Sequence, residues 1–357
     1  MSSQKEIVLS GIRSTGNLHL GNYFGALRKF VSIQDDYDCN FFIADLHALT
    51  TNPSPSELHA NVKNILAEYL AAGLDPEKSN IFIQSDIPEI SEMYLLLNMH
   101  VGIGELMRTV SFKEKARKCL GLTAPAEGET EEAFEHEIIG ADTNKRVNAG
   151  LLTYPTLMAV DILIQKANKV PVGKDQLQHL ELTRRFARRF NSFYGVDCFP
   201  EPTDFDWGCA PIKVPGLDGS GKMGKSEGNC IYLIDDPKVL RKKVMRATTD
   251  EGPKEPNSKM CQPVENLFTL LELTSTPDVV KHFRDAYADC SIRYGDLKKQ
   301  LAEDILAITT PIRERINDIM ADDDYLRSVV KRGAERARER AAATLAEVRS
   351  IMGIRKF

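Results

Sequence analysis

The 357-residue chain lacks any Cys-x-x-Cys pair. Its seven cysteines are an odd number, scattered without the spacing that ligands of one metal ion show. This pattern argues against a zinc site and against a disulfide framework. It predicts reduced thiols in a cytoplasmic protein that has no structural metal.

The sequence also lacks a long apolar segment and a positive net charge. No run approaches the ~18 apolar residues that a transmembrane helix needs, and no apolar signal-peptide core follows the first residues, so we expect no membrane association. The formal net charge is −5, so any contact with a polyanion must use a local patch. The length predicts two domains, or one large domain with an appendage.

A glycine-rich segment near the N-terminus, residues 10–26, is the first feature that points to chemistry. It follows an apolar run typical of a β-strand and leads into helical spacing at 23–33. Glycines allow close approach of a ligand, and a helix N-terminus attracts anions. The glycines are five residues apart, unlike the Gly-x-Gly-x-x-Gly fingerprint. Phosphate binding and an ordinary βα loop are equal alternatives at this point.

Strands and helices alternate over the first hundred residues. Apolar runs at 39–45 and 79–85 predict strands, and the spacing at 56–72 and 90–100 predicts helices. The alternation predicts an α/β fold with a doubly wound parallel sheet, in which ligands bind beyond the carboxyl ends of the strands. From residue 236 onward helices dominate, which predicts a C-terminal helical domain.

Two charged segments carry no recognisable site. Residues 118–148 lose periodicity around a glutamate-rich stretch, which predicts a mobile surface insertion. The last predicted helix is rich in basic residues, and it is either a solvated face or a contact for RNA phosphates. Its basic residues are Arg327, Lys331, Arg332, Arg336, Arg338 and Arg340.

A carboxylate interrupts an otherwise apolar helical run at residues 149–164. Asp161 stands there with Tyr154 and Met158 on the same helix face. A carboxylate in such a helix is expensive to bury without a partner. Asp161 is therefore either half of a structural pair or an acceptor aimed into a ligand pocket.

A second glycine cluster, residues 216–229, contains the Walker A pattern from Gly219 to Ser226. A P-loop must open directly into a helix, whereas a turn and a β-like run at 230–234 follow here. We interpret the segment as a loop that closes over phosphates, with Lys222 and Lys225 as movable cations. A P-loop ATPase is the alternative.

Together the two loops resemble the signature motifs of class I aminoacyl-tRNA synthetases. His19-Leu-Gly-Asn22 is similar to His-Ile-Gly-His, and Lys222-Met-Gly-Lys-Ser226 is similar to Lys-Met-Ser-Lys-Ser. Segments 10–26, 112–115, 149–161, 170–183 and 235–250 resemble the bacterial tryptophanyl-tRNA synthetases, so the resemblance covers nearly the whole chain. The block 152–183 separates this family from the sister tyrosyl enzymes, which stay as an alternative.

The chain departs from the family pattern at three places. Gly224 replaces the usual central Ser of the second motif, and Arg13 stands where many members have a Gln that lines the amino-acid pocket. The segment 118–148 is longer than in compact bacterial members.

The resemblance implies a cytoplasmic homodimeric ligase with two domains. Residues 1–234 would form a Rossmann-like catalytic domain, and residues 235–357 a helical anticodon-binding domain whose last helix packs back on the first. The implied reaction joins tryptophan to Mg²⁺-bound ATP, giving tryptophanyl-adenylate and pyrophosphate, and then transfers tryptophan to the 3′ end of tRNA(Trp).

The same resemblance implies residue roles. The catalytic residues would be His19, Asn22, Lys222, Lys225 and Ser226. The ATP-binding residues would be Gly11, Arg13, Thr15, Gly16, Gly21, Asn22, Lys113, Lys115, Gly173, Asp175, Lys222, Met223, Lys225 and Ser226. The tryptophan-binding residues would be Leu9, Gly11, His47, Tyr154, Met158, Asp161, Val170, Val172 and Gln176. Because the indole nitrogen only donates, Asp161 would be its acceptor.

Overall fold

The fold is built on a five-stranded parallel sheet with the strand order β3-β2-β1-β4-β5. The computed structural model describes residues 5–122, 136, 138, 147–173, 176–205, 207–208 and 212–354. The strands are β1 (Ile7–Arg13), β2 (Asp38–Ala44), β3 (Asn80–Ile83), β4 (Lys169–Val170) and β5 (Thr203–Asp204). The order reverses between β1 and β4, which places a topological switch point there.

Helices cover both faces of the sheet and form the C-terminal region. They are α1 (Leu20–Asn22), α2 (Arg28–Ile33), α3 (Asp45–Ala48), α4 (Pro55–Ala71), α5 (Pro88–Asn98), α6 (Ile103–Met107), α7 (Val110–Leu120), α8 (Ala149–Ile164), α9 (Leu177–Tyr194), α10 (Pro237–Met245), α11 (Gln262–Thr274), α12 (Pro277–Ala288), α13 (Tyr294–Met320) and α14 (Asp323–Ile351). A π-helical turn, Tyr23–Leu27, joins α1 to α2. The predicted doubly wound α/β fold with a helical C-terminal region is confirmed.

Two apolar clusters fill the two faces of the sheet. One packs Phe41 and Tyr69 on the α4 side and continues without a break into the C-terminal helices, where it includes Leu301. The other packs Leu163 and Phe186 on the opposite face. Strand β2 is buried along almost its whole length because both faces are covered, which explains its unbroken apolar run.

The last helix, α14, crosses the edge strand β3 at a glycine. A Cβ added at Gly333 would lie 1.7 Å from the carbonyl oxygen of Ile81. Further along, the Gln165 side chain donates to the carbonyl oxygen of Ala337 at 3.0 Å. Gly333 therefore sets how closely this helix approaches the sheet.

Three of the six predicted basic residues of α14 form ion pairs with the α/β part of the chain. Arg340 bonds Asp38 at 2.7 Å, Arg338 lies 3.5 Å from Glu89, and Arg332 pairs with Glu77. Arg327 pairs with Asp323 and Asp324 of its own helix. The pairs with Asp38, Glu89 and Glu77 hold α14 against the α/β part, which is a structural role for these predicted basic residues.

The described residues show neither a membrane-spanning helix nor a cluster of metal ligands, and their cysteines form no disulfide. Among the described helices, none is long and apolar enough to cross a membrane. No group of three or more His, Cys, Asp or Glu residues in the described ranges is arranged to hold a metal ion. The described cysteines are free thiols, namely Cys39, Cys119, Cys198, Cys230, Cys261 and Cys290. Most of the predicted insertion, 118–148, lies outside the described residues.

Gly333→Ala should destabilise the protein because its methyl group cannot occupy the space that the Ile81 carbonyl fills. Overpacking of this kind costs about 1–3 kcal/mol or more, so the midpoint of thermal unfolding should fall by several degrees. Gly295→Ala is the control, since a Cβ there meets nothing within 4 Å. Equal unfolding midpoints for the two variants would contradict the close crossing.

Candidate active site

A cavity of about 910 Å³ opens at the carboxyl ends of β1, β2 and β4, beside the switch point. The predicted site residues that line it are Leu9, Gly11, Arg13, Gly21, His47, Lys115, Tyr154, Met158, Asp161, Val170, Val172, Gly173, Gln176 and Lys222. They come from segments far apart in the sequence. The fold therefore brings most of the predicted set to one place.

Asp161 lies at an apolar end of this cavity and is 3% exposed. The Gln84 side-chain nitrogen donates to Oδ1 and Oδ2 at 2.8 and 2.9 Å, and His47 Nε2 lies 3.0 Å from Oδ2. Burial raises the pKa of Asp161, and its bonds with His47 and Gln84 act in the opposite direction. The carboxylate is thus held by two side chains while one edge faces the cavity.

Gln84 is a site residue that the sequence did not reveal. It is fully buried in the turn after β3, and its oxygen accepts from the backbone N–H of Leu46 at 3.1 Å. Asp45, which stood beside His47 in the sequence, accepts from Ser85 N at 3.0 Å and has a cap-like role. These hydrogen bonds join the turn after β2 to the turn after β3, next to Asp161.

The hydroxyl group of Tyr154 is held by Ser111 of α7 and His179 of α9. Its hydroxyl donates to Ser111 Oγ at 2.6 Å and lies 2.6 Å from His179 Nε2. The Lys115 ammonium lies 4.0 Å from the centre of the Tyr154 ring. The phenol is therefore fixed by α7 and α9, with a cation on its face.

The two glycine-rich loops meet directly. Leu20 N donates to Ile231 O at 2.9 Å, and Leu233 N donates to Leu18 O at 3.0 Å, so His19 and Tyr232 form an antiparallel bridge. Residues 230–234, predicted to be β-like, therefore form a single bridge with the first loop and are not a strand of the sheet.

Lys225 adds a side-chain link between the loops. Its ammonium donates to the carbonyl oxygens of Thr15 and Gly16 at 3.1 and 2.8 Å. Burial lowers the pKa of Lys225, and the neighbouring Glu68 raises it. The lysine of the second loop therefore rests on the backbone of the first.

His19 is buried beneath this junction. Its backbone N–H donates to Asn22 Oδ1 at 3.1 Å, and a Cβ at Gly21 would lie 2.8 Å from its ring. Burial, followed by the charges of Lys225 and Lys222, lowers the pKa of His19 to about 4. The imidazole is therefore neutral at physiological pH and offers one N–H.

Glu68 supports the first loop from α4, and the sequence did not reveal it. Both of its carboxyl oxygens lie 3.0 Å from the backbone N–H of Leu18, the residue before His19. Glu68 is 1% exposed, and burial raises its pKa to about 8. This carboxyl group fixes the backbone on which His19 stands.

Asn229 organises the second loop. Its amide nitrogen donates to Asp218 Oδ1 at 3.0 Å and to Ser220 Oγ at 2.9 Å, and its oxygen accepts from Gly224 N at 2.9 Å. Gly224 has an extended backbone, φ −145°, so this position does not require glycine. The loop shape thus depends on Asn229 more than on the residue at 224.

The P-loop alternative is wrong on structural grounds. After Gly224 the chain makes a single 3₁₀ turn, Lys225–Glu227, and ends it at Gly228 with φ +66°. No helix follows Ser226, so its backbone cannot cradle phosphates as a Walker A motif does.

The remaining predicted residues that the structure describes are not on the lining of the cavity. They are His19, Asn22, Thr15, Gly16, Met223, Lys225 and the backbone of Ser226 in the two joined loops, and Lys113 on α7 two residues before Lys115. Asp175 lies outside the described residues. Their roles stay predictions.

The chain belongs to the family described as tRNA synthetases class I (W and Y), which it matches over residues 1–309. It is therefore an ATP-dependent aminoacyl-tRNA ligase by family. This result agrees with the two signature loops meeting at the switch point of a parallel sheet.

Two tryptophan--tRNA ligases and one solved tryptophanyl-tRNA synthetase are among the proteins to which the chain is similar. The chain is 61% identical to the tryptophan--tRNA ligase of Porphyromonas gingivalis, covering 98% of this chain and 100% of that one, and 40% identical to that of Rhodopirellula baltica, covering 98% and 99%. The tryptophanyl-tRNA synthetase of Campylobacter jejuni, solved with ADP and tryptophan, matches with a TM-score of 0.81 at 31% identity, covering 97% and 99%.

Glu68→Gln should change how stability depends on pH. A carboxyl group whose pKa is raised on folding stabilises the protein below its unfolded pKa of about 4.5, and this contribution is lost as pH rises through about 8. Gln does not titrate. The unfolding midpoint of the variant should therefore fall less than that of the parent between pH 6 and 9, and parallel curves would contradict the assignment.

Proposed function

We propose that the protein is a tryptophan–tRNA ligase that works on tryptophan, ATP and tRNA(Trp). The observation that carries the specificity is Asp161, a buried carboxylate at an apolar end of a cavity beside two joined signature loops. The named relatives support the same activity, and the tyrosyl alternative is not favoured by them.

The tryptophan pocket needs one acceptor for the indole N–H, because that nitrogen only donates. A carboxylate has about four acceptor positions. Gln84 and His47 occupy two on Oδ2 and one on Oδ1, so Oδ1 keeps one for the ligand. Met158, Val170 and Val172 line the same cavity and supply apolar walls. Phenylalanine would leave the acceptor unpaired and tyrosine would fit an indole-shaped space poorly.

The first reaction joins the tryptophan carboxylate to the α-phosphate of ATP. An O–P bond forms, the bond to the β-phosphate oxygen breaks, and the electron pair leaves with pyrophosphate. The attacking carboxylate is already ionised, so no general base is needed. Lys222, Lys225 and Lys115 stabilise the charge that develops on pyrophosphate, and neutral His19 donates a hydrogen bond.

The nucleotide is placed by the two loops and by α7. The residues proposed to bind ATP are Gly11, Arg13, Thr15, Gly16, Gly21, Asn22, Lys113, Lys115, Gly173, Asp175, Lys222, Met223, Lys225 and Ser226. Acidic side chains on the cavity lining are confined to Asp161 and Asp204 among the described residues. Mg²⁺ is therefore proposed to be held by the phosphates of ATP, where it neutralises their charge.

The second step transfers tryptophan to the terminal ribose of tRNA(Trp). A ribose hydroxyl attacks the acyl carbon and AMP leaves. Residues 235–357 are proposed to carry the anticodon-recognition surface. As an enzyme of translation, the protein is proposed to act in the cytoplasm.

Amino-acid-dependent exchange of pyrophosphate into ATP tests the proposal. Exchange should occur with tryptophan and not with tyrosine or phenylalanine. Asp161→Ala should lower kcat/KM for tryptophan about 100-fold or more, while KM for ATP changes little. Asp204→Asn, which alters the other acidic residue of the cavity lining, is the control and should keep tryptophan specificity. Exchange driven by tyrosine would overturn the specificity, and full activity of Asp161→Ala would remove that residue's role.

We propose that the enzyme is a homodimer, because one surface carries an apolar strip. Leu95 on α5 and Met99 just after the end of α5 are 55% and 70% exposed, Ile103 is 67% exposed on α6, and Phe193 is 71% exposed on α9. The rings of Phe193 and His100 lie 5.4 Å apart, which makes the strip continuous. Contiguous exposed apolar side chains are typical of an interface.

Phe193→Asp should weaken the dimer by placing a charge in this strip. Sedimentation at micromolar concentration should show about twice the mass of one chain for the parent and a smaller average mass for the variant. Val239→Asp, at an exposed position on α10, serves as the control. A parent that sediments only as a single chain would contradict the homodimer.

A further inference from the structure

The second glycine-rich loop, residues 216–229, is attached to the C-terminal helical region as well as to the first loop. Pro263, in the first turn of α11, packs against Gly219, where an added Cβ would lie 2.9 Å from the proline Cγ. The backbone N–H of Thr248 donates to the carbonyl oxygen of Leu217 at 2.9 Å. The first part of the loop therefore rests on the C-terminal helical region, whereas the bridge to the first loop follows its last residue.

Asn266 of α11 adds a side-chain hydrogen bond to this attachment. Its amide nitrogen donates to the carbonyl oxygen of Ser220 at 2.8 Å, and Asn266 is 4% exposed. A carbonyl oxygen only accepts, so the amide nitrogen must face Ser220 and the amide oxygen must face away from it. Gln262, one helical turn earlier, donates to that amide oxygen at 3.0 Å. The orientation of the Asn266 amide is therefore fixed from both sides.

Ser220 is the residue through which this bond reaches the rest of the loop. Its carbonyl oxygen also accepts from Gly216 N at 3.2 Å, and its hydroxyl accepts from the Asn229 amide at 2.9 Å. Lys222 lines the cavity two residues later, and its own carbonyl oxygen accepts from Asn229 at 3.2 Å. A displacement of Ser220 would thus move the backbone that carries Lys222.

We propose that Asn266 is a positioning residue for the first reaction, because it sets the place of the second loop from the C-terminal helical region. The inference rests on the proposed function, in which Lys222 stabilises the charge that develops on pyrophosphate. Asn266 is not on the lining of the cavity, so it acts through Ser220 and the loop backbone. Loss of this buried donor leaves the loop free to shift, and a misplacement of about 1 Å can cost about 100-fold in rate.

Asn266→Leu tests the proposal, since leucine is similar in size and donates no hydrogen bond. In tryptophan-dependent exchange of pyrophosphate into ATP, kcat/KM for ATP should fall about 10- to 100-fold. The Kd of tryptophan, measured by calorimetry without ATP, should stay within about twofold because Asp161 and its donors are distant from the change. Gln262→Met, which keeps the donor but removes its support, should give a smaller loss in the same direction. Unchanged kcat/KM for ATP in Asn266→Leu would overturn the proposal.

Asn191→Leu is the matched control for this change. Asn191 is also a helical asparagine whose amide donates to a backbone carbonyl, that of Phe199 at 2.9 Å, and it lies on α9, outside both loops. The control should leave kcat/KM for ATP unchanged, and thermal unfolding verifies that each variant is folded at the assay temperature. An equal loss of kcat/KM in the two leucine variants would overturn the proposal in favour of a general loss of stability.

Cleavage by trypsin after Lys222 tests the attachment of the loop without any need for activity. Lys222 is exposed, and a loop released from α11 is a better substrate for the protease. Cleavage at this site should be several-fold faster in Asn266→Leu than in the parent and in Asn191→Leu, and an unchanged rate would overturn the proposal. Absence of tryptophan-dependent exchange in the parent would refute the proposed function instead, and the cleavage rates would still test whether Asn266 holds the loop.

Discussion

The candidate active site depends on a backbone bridge between two segments that are more than 200 residues apart in the sequence. The pairing of Leu18 and Leu20 with Ile231 and Leu233 fixes where the second loop begins relative to the first. His19 lies between Leu18 and Leu20, the two residues of the first loop that make these bonds, so the signature histidine is part of the bridged segment. Both bridging N–H groups are hydrogen-bonded and the four bridging residues are buried, whereas Lys222, beyond the bridge, is exposed.

Two buried carboxyl groups support the two ends of the cavity in different ways. Asp161 is met by side-chain donors from Gln84 and His47, and these favour its ionised form. Glu68 accepts from the backbone N–H of Leu18, and burial raises its pKa to about 8. Burial raises the pKa of Asp161 as well, so both carboxyl groups depend on the donors that surround them.

The sequence predicted the fold class and most helices well because these depend on local periodicity. The helix Tyr294–Met320 has the predicted bounds, and Asp161 stood out because a carboxylate inside an apolar run is visible without a structure. Gln84, Glu68 and Asn229 were missed for a common physical reason. Each acts on a partner distant in sequence or through the backbone, and a lone amide or acid in a helix or turn carries no periodic signal. The prediction of a β-like run at 230–234 was only partly right, because this segment pairs with a loop and not with the sheet.

The proposed reaction needs no general base because its nucleophile is already ionised, so the cavity has to stabilise developing charge instead. Asp161 is bonded by Gln84 and His47, whereas Lys115 of α7 and Lys222 of the second loop line the same cavity. In the proposed reaction, these lysines stabilise the negative charge that develops on pyrophosphate. Lys222 and Lys225 belong to the second loop, and the bridge between His19 and Tyr232 fixes that loop against the first. The same junction thus links the folding of the loops to the chemistry.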